Sequence, residues 1–503
     1  MSQKERFAIS TLLGAFLIHA IIATMHIRSK TYIYSYLSGI SLEKFTKDDL
    51  NMLFSISTVI YSIFIIFGVI VVSYFNSVTI SGICLTIRII CHSTLILLPD
   101  IRIFSVAIIV SAAACGTVYL PVLLDIWKYF PNSKGVATSF VLSGFVITRL
   151  MFRYVTTAMI NPDGVNLITG TYNYPKEINE SFLVYLKKSQ IFFAILSCVA
   201  ITLIYPYDIY INLEEEVKIN LKQKLLFLNK SKSAQTFNRM RDEDDEKESY
   251  DDKNQSYLKQ IFDIVKKNEG EYEPFISLII SYPFLQLTFV FFFAQIYSVI
   301  ELYSIRRLGL IFGLQEDFLS KASLAWKIIN VFFFTLWGYY LDKKGIKHIL
   351  MIVLTAEIIN NALCYFIVQY KIGFIIFIFL SAAVNSANLS MTLTCYVKIF
   401  GDEKGILLYS ISSVFINTFH IWRPVINEFL NEKVHFLMLF LIVTIFSMIS
   451  LIILCFFKEK VHNYKGEKSE KNETPIELKE ISTNNTDNNS DNNSLFSDLK
   501  KEK

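Results

Sequence analysis

The chain has 503 residues with 53% hydrophobic and only 18% charged side chains, a mean hydropathy of +0.43 and a formal net charge of +4. A water-soluble domain this apolar lacks the polar surface to cover itself, so the composition points to a membrane protein. It shows no basic stripe with interleaved aromatics, which excludes a nucleic-acid binder as a class.

Apolar runs of spanning length follow in chain order, roughly 20 residues being enough to cross the hydrocarbon core. The first half gives Phe7–Ile27, Leu50–Tyr74, Thr79–Leu98, Phe104–Leu124, Val136–Ile160 and Ser189–Tyr207. The first run lacks a small-residue cleavage site and is expected to stay as a span. A polar break covers Asp208–Pro274. The second half gives Pro283–Tyr303, Leu319–Leu341, His348–Gln369, Ile372–Tyr396, Ile406–Phe429 and His435–Phe457. The pattern predicts an all-α integral membrane fold of twelve spans. Residues 1–208 would form an N-terminal six-helix bundle, 209–274 a charged linker, 275–457 a C-terminal six-helix bundle and 458–503 a disordered polar tail. The linker contains RDEDDEKESYDD at 241–252, a run too charged to bury a core. Gln255–Lys267 has helical apolar spacing and would lie on the membrane surface. The seven cysteines all fall in apolar runs without a C-x-x-C, and are expected to be small buried hydrophobes with no disulfide or zinc role.

The two halves superpose without a gap over spans two to five against eight to eleven. Gly68 falls on Gly338, 270 residues on, and Ser111-Ala-Ala113 on Ser381-Ala-Ala383. Lys128–Gly135 and Lys398–Gly405 share K-x-F-x-x-x-K-G, Arg153 falls on Arg423, and Asn161 on Asn431. These matches sit at loops and polar positions, so they argue for a duplicated six-span unit. Parallel six-span halves with a midplane site between them are a transporter design.

Trp337-Gly-Tyr-Tyr-Leu-Asp-Lys-Lys-Gly345, followed by Lys347, resembles the G-x-x-x-D-(K/R)-x-G-(R/K) loop of the major facilitator superfamily. In that family the loop joins the second and third spans of each half and acts as a cytoplasmic latch. The resemblance assigns Gly338, Asp342, Lys343 and Gly345 to gating. Physically, Asp342 can meet helix N-termini or basic groups, and Gly345 allows a tight turn. The first-half copy keeps Gly68 but has Val72 at the acidic position. A finer resemblance runs through Trp127–Thr138 and Gly144, which look like the W-F-P-x-x-(K/R)-G-x-A-x-G stretch of oxalate/formate antiporter-like and monocarboxylate porter-like members. Asn161-Pro-Asp-Gly164 looks like a loop of protist members of that branch. The Arg that carboxylate-transporting members carry in the eighth span is here Phe334.

Ionisable groups at mid-membrane are costly and are functional candidates. Arg88, Arg149, Lys327, Glu357 and His420 lie near the middle of predicted spans, with Arg153 and Arg423 nearer the outer ends. In the major facilitator fold the cavity is lined by spans one, four, seven and ten with parts of two, five, eight and eleven. That separates Arg149, Lys327, His420 and Arg423, as substrate-binding candidates, from Arg88 and Glu357, for which structural roles are expected. Arg149 leads the list. Asn385 and Asn388 share a face of span ten and could hydrogen-bond a substrate or tie helices together. His19 and His420 are the groups whose charge changes near neutral pH. Pro121 is expected to kink span four.

Basic groups without matching acids favour an anionic solute. The sequence therefore predicts a secondary transporter of a small organic anion, such as a mono- or dicarboxylate, working by coupling to a proton, by exchange for a counter-anion or by facilitated diffusion. An amino-acid or other polar-metabolite transporter, and a non-transporting receptor-like protein, are the alternatives. No paired carboxylates, H-E-x-x-H or phosphate loop supports catalysis, and no cofactor is expected. Lysines flanking the linker, Lys218, Lys222, Lys224, Lys266 and Lys267, tip both termini toward the cytoplasm.

Overall fold

The computed structural model describes residues 3–24, 30–40, 45–165, 168, 173–207, 211, 275–422 and 433–458. The linker, including Gln255–Lys267, most of the tail, Arg423 and Asn431 lie outside them, as does the side chain of Arg153.

Among the described residues the chain is helical throughout. The first half holds α1 (Gln3–Ala23), α2 (Lys30–Ile40), α3 (Lys47–Val71), α4 (Ser77–Leu97), α5 (Ile101–Tyr119), α6 (Pro121–Tyr129), α7 (Lys134–Ile160) and α8 (Lys176–Leu203). The second half holds α9 (Phe275–Ile279), α10 (Tyr282–Ile311), α11 (Glu316–Lys343), α12 (Ile346–Ile367), α13 (Lys371–Phe400), α14 (Asp402–Asn417) with a 3₁₀ turn (Thr418–Trp422), and α15 (Lys433–Cys455). Ten helical runs are long and apolar enough to cross a membrane, and α10 and α14 complete two sets of six. Their outward faces carry Ile90, Ile191, Ile195, Phe366 and Leu441, each at least 60% exposed. So much bare hydrocarbon on one surface is stable only against lipid.

Local chemistry sets several helix starts. Thr46 and Asp49 form a reciprocal capping box at α3, with the Asp49 N–H donating to Thr46 Oγ1 at 3.1 Å and the Thr46 N–H to Asp49 Oδ2 at 2.7 Å. Asn76 caps α4 and Asp100 caps α5 by the side chain alone, accepting the Thr79 and Arg102 N–H groups. Pro121 lacks the N–H needed to continue α5. Span four, predicted as Phe104–Leu124, therefore runs as α5 and α6, broken at Leu120 and extending to Tyr129.

Other features depart from the sequence expectation, and the seventh span runs on past Tyr303 to Ile311. The sixth span starts at Lys176, well before Ser189. Ile178, Phe182, Tyr185, Leu186 and Ser189 make a buried helical stripe there while Lys187 and Lys188 face outward. α2 was not anticipated. Its Ile33, Tyr36 and Leu37 are buried against Phe54, Phe104, Ile178 and Phe182 at the end of the N-terminal bundle opposite the N-terminus. The eleventh span, expected to run through Phe429, leaves α-helical geometry after Asn417. There the Asn417 and Thr418 side chains bond back to the Ser413 and Phe415 carbonyls.

The repeat survives in three dimensions. Moved by 270 residues, the starts of α3, α4 and α5 fall within one residue of those of α11, α12 and α13. A single hydrophobic cluster runs through both halves. α7 packs on α11, and α3 packs on α14 and its 3₁₀ turn.

Candidate functional site

The first part of the candidate site, at the loop whose motif resembles a latch, is a set of charged contacts at the end of the bundle that carries the N-terminus. α11 delivers Asp342 to the first turn of α7 in the opposite half. The Gly135 and Val136 N–H groups donate to its carboxylate at 3.0 and 2.9 Å, and Lys398 of α13 lies 3.3 Å away. Two N–H groups of a helix start that lack partners inside their own helix are thus satisfied by an anion placed at the positive end of its dipole. Both partners anticipated for Asp342, a helix N-terminus and a basic group, are present. Such an approach requires glycine on both sides. A Cβ on Gly135 would meet the Gly338 carbonyl at 2.7 Å, and one on Gly338 would meet the Gly135 carbonyl at 2.5 Å.

Beside this contact, Lys134 at the start of α7 reaches Asp402 at the start of α14, at 2.5 and 2.7 Å. Val72, at the acidic position of the first-half loop, caps α3 through its backbone and packs in the apolar cluster. Lys343 lies over the Tyr339 ring at 4.4 Å from its centroid. Gly345 has φ −65°, a value open to any residue, so no tight glycine turn is needed there.

The second part lies deeper, between the halves. Arg149 on α7 is half-buried with its guanidinium carbon 5.9 Å from the Phe145 ring centroid. On the same side Tyr61 (α3) and Tyr119 (α5) meet edge to face at 5.9 Å. The buried His19 ring stands 5.1 Å from Tyr119 and 5.8 Å from Phe145, its Nδ1 paired with the Ala15 carbonyl at 2.9 Å. From the other half, Tyr409 on α14 lies close to Tyr119 and Tyr61. Behind Tyr409, the Tyr396 hydroxyl pairs with Thr288 at 2.8 Å and Ser412 at 2.5 Å. Arg149, His19 and the rings of Tyr61, Tyr119 and Tyr409 thus lie near one another where the halves meet, with the Tyr396 hydroxyl turned to Thr288 and Ser412 behind them.

The remaining sequence candidates are placed elsewhere. Asn388 donates to the Ala294 carbonyl and to Ser298 at 3.4 and 3.5 Å, tying α13 to α10, and Asn385 is buried on the same helix. His420 lies in the 3₁₀ turn rather than at mid-helix, its Nε2 3.4 Å from Gln295 Nε2. Lys327 is half-buried on α11, and Phe334, one heptad on, is packed in the core. Arg88 is enclosed by Thr24, Cys115 and the Phe193 ring. The tyrosines were not singled out from sequence. Among 27 of them, only a polar tip in the middle of an interior span marks Tyr61, Tyr119 and Tyr409.

Residues 275–486 match the family profile of the Major Facilitator Superfamily. A comparison with curated protein sequences finds no significant match. Among solved structures, the chain is similar to the proton:xylose symporter XylE bound to 6-bromo-6-deoxy-D-glucose, with TM-score 0.62 and 14% identity over 90% of this chain and 96% of that one. It is also similar to a D-xylose-proton symporter, with TM-score 0.57 and 14% identity over 91% and 98% of the two chains. A third similar structure is the transporter FucP in its outward conformation, with TM-score 0.56 and 12% identity over 89% and 97%. At such identities the likeness speaks for the fold. The chain is a multi-pass membrane protein with the major facilitator fold, and its second half carries the Major Facilitator Superfamily domain.

Proposed function

We propose that the protein is a secondary transporter that moves a small organic anion by alternating access, the solute binding between the halves beside Arg149. The observation that carries this reading is Arg149 itself. It is a permanently charged group, half-buried in a cross-half cluster of Tyr61, Tyr119 and Tyr409. A carboxylate would neutralise the guanidinium, and the phenols would read a neighbouring hydroxyl or keto oxygen. The latch supports alternating access, because its two halves are held by separable polar contacts rather than by a continuous chain path. The latch end is the cytoplasmic one in this reading, with a proton or counter-anion as the coupling partner.

Uptake of labelled lactate, oxalate, xylose and an amino acid into proteoliposomes tests the assignment. Anion uptake is expected, with Arg149→Gln abolishing it. A second reading, a neutral sugar, is favoured by the phenolic hydroxyls and by the xylose symporters of like fold. Xylose uptake that withstands Arg149→Gln would establish it and remove the anion. Binding without flux of any solute would leave the receptor-like alternative.

A further inference from the structure

The transport reading rests on Arg149 and gives the imidazole near it no task. His19 lies in the second half of α1 and is fully buried. Glycine lets α7 close on α1 at this level, where a Cβ on Gly144 would meet the Phe16 carbonyl at 2.7 Å. The approach brings the next residue, Phe145, to 5.8 Å from the His19 ring, and the Tyr119 ring stands 5.1 Å from it.

The hydrogen bonding of that ring is incomplete. Nδ1 is 2.9 Å from the Ala15 carbonyl, which can only accept, so Nδ1 carries the hydrogen of a neutral ring. Nε2 is shut away from water and makes no hydrogen bond. The backbone carbonyl of Tyr119, a second acceptor, also lies close to the ring. Tyr119 ends α5 at the break before Pro121, and the last carbonyls of a helix have no N–H partner within it. A neutral imidazole has one hydrogen to offer two carbonyls, whereas an imidazolium has two. The surroundings of His19 therefore match the protonated ring better than the neutral one.

The charges around the ring decide when it can be protonated. α7 brings Arg149, whose guanidinium carbon is 5.9 Å from the same Phe145 centroid. α5 and α3 bring the phenols of Tyr119 and Tyr61, and Tyr409 of α14 lies close to both. α6, which also packs on α1, carries Asp125, held by the Ser77 hydroxyl, and the exposed Lys128. The buried residues of α8 include no charged one. The empty site thus has one fixed positive charge, which repels a second on His19. An anion at Arg149 cancels that charge. Adding a proton then returns the loaded site to the net charge of the empty one, so neither form carries extra charge across the membrane.

We infer that His19 is the proton site of the transport cycle, one proton crossing on its Nε2 with each monoanion held by Arg149. The inference rests on the anion reading and adds to it the coupling ion and the residue that holds it. On the side open to solute, the Nε2 lone pair takes a proton from water and an N–H bond forms. On the other side the anion leaves Arg149, the N–H bond breaks and the proton returns to water.

Proteoliposomes holding the full chain and an entrapped pH-sensitive dye test this with labelled lactate, the signal of protein-free vesicles being subtracted. An acidic exterior should drive lactate to about tenfold accumulation per pH unit, with one proton entering per lactate. His19→Gln, which cannot take a proton, should lose both while still exchanging external for internal lactate at a reduced rate. His19→Asn, whose amide can donate to the Ala15 carbonyl, should behave alike. Lactate uptake without proton entry in the unaltered protein would overturn the proton site and leave the anion reading standing. Proton entry undiminished in both variants would do the same. Exchange lost together with accumulation in both variants would mark a structural histidine and overturn the assignment. If neither lactate nor oxalate enters with the unaltered protein, the anion reading fails and the proton site falls with it.

Discussion

Replacing Asp342 by Asn tests the latch most directly, because it keeps the shape and removes the charge. The carboxylate accepts two backbone N–H groups, at 3.0 and 2.9 Å, and faces Lys398 at 3.3 Å. Its side chain is 11% exposed, so solvent screens these contacts little. Charge-assisted hydrogen bonds contribute roughly 1.5–3 kcal/mol each, against about 1 kcal/mol for neutral ones. An amide retains one neutral acceptor and turns a donor toward the second N–H. The expected loss is about 3 kcal/mol of the closed state, which is roughly a hundredfold in the ratio of closed to open. Spin labels at Asn132 and Glu403, both exposed and adjoining the Lys134–Asp402 contact, report the separation of the two helix starts. Asp342→Asn should transfer population from the short to a longer distance. An unchanged distance distribution would show that apolar packing alone holds this end shut, and the latch argument would fail.

Two further outcomes follow from the same end of the molecule. Gly338→Ala should push α11 from α7, since its new Cβ would stand 2.5 Å from the Gly135 carbonyl. Adding Ser139→Ala, which clears only the hydroxyl at 2.3 Å, should not restore the short distance. A double-mutant cycle on Lys134→Ala and Asp402→Ala should give a coupling energy of about 1 kcal/mol or less, falling as salt is raised. Asp402 is 45% exposed, and ion pairs open to water contribute little.

The fold was legible where its signal is carried by backbone requirements or by long apolar runs. The 270-residue repeat located α3 to α5 against α11 to α13 almost to the residue, because loops and polar corners of a duplicated unit are fixed by the same helix lengths. α2 was missed although Ile33, Tyr36, Leu37 and Ile40 recur at helical spacing, since eleven residues are too few to register as a span. The start of α8 was misplaced for a related reason. Its charged face met the hydropathy count, while its buried stripe met the core.

The site was legible in part. Asp342 and its glycine were marked by a motif whose chemistry is local. The Tyr119–Tyr409 contact could not be read, because it joins residues from different halves that no offset relates. Arg149 was singled out by the cost of its charge in the membrane, a property of one residue. Asn388 illustrates the limit: position on an interior helix does not tell whether an amide meets a solute or the backbone of the next helix, and here it meets Ala294.

Lys347, just past the latch loop, donates to the carbonyls of Cys455 and Phe457 at 2.7 and 2.9 Å, where α15 ends. The chain's exit from the bundle is thus fastened to the helix start that follows Asp342. Force applied to the C-terminus, by a fused reporter or a surface tether, would reach that segment directly through Lys347. A tag placed there is a handle on the latch as well as a label.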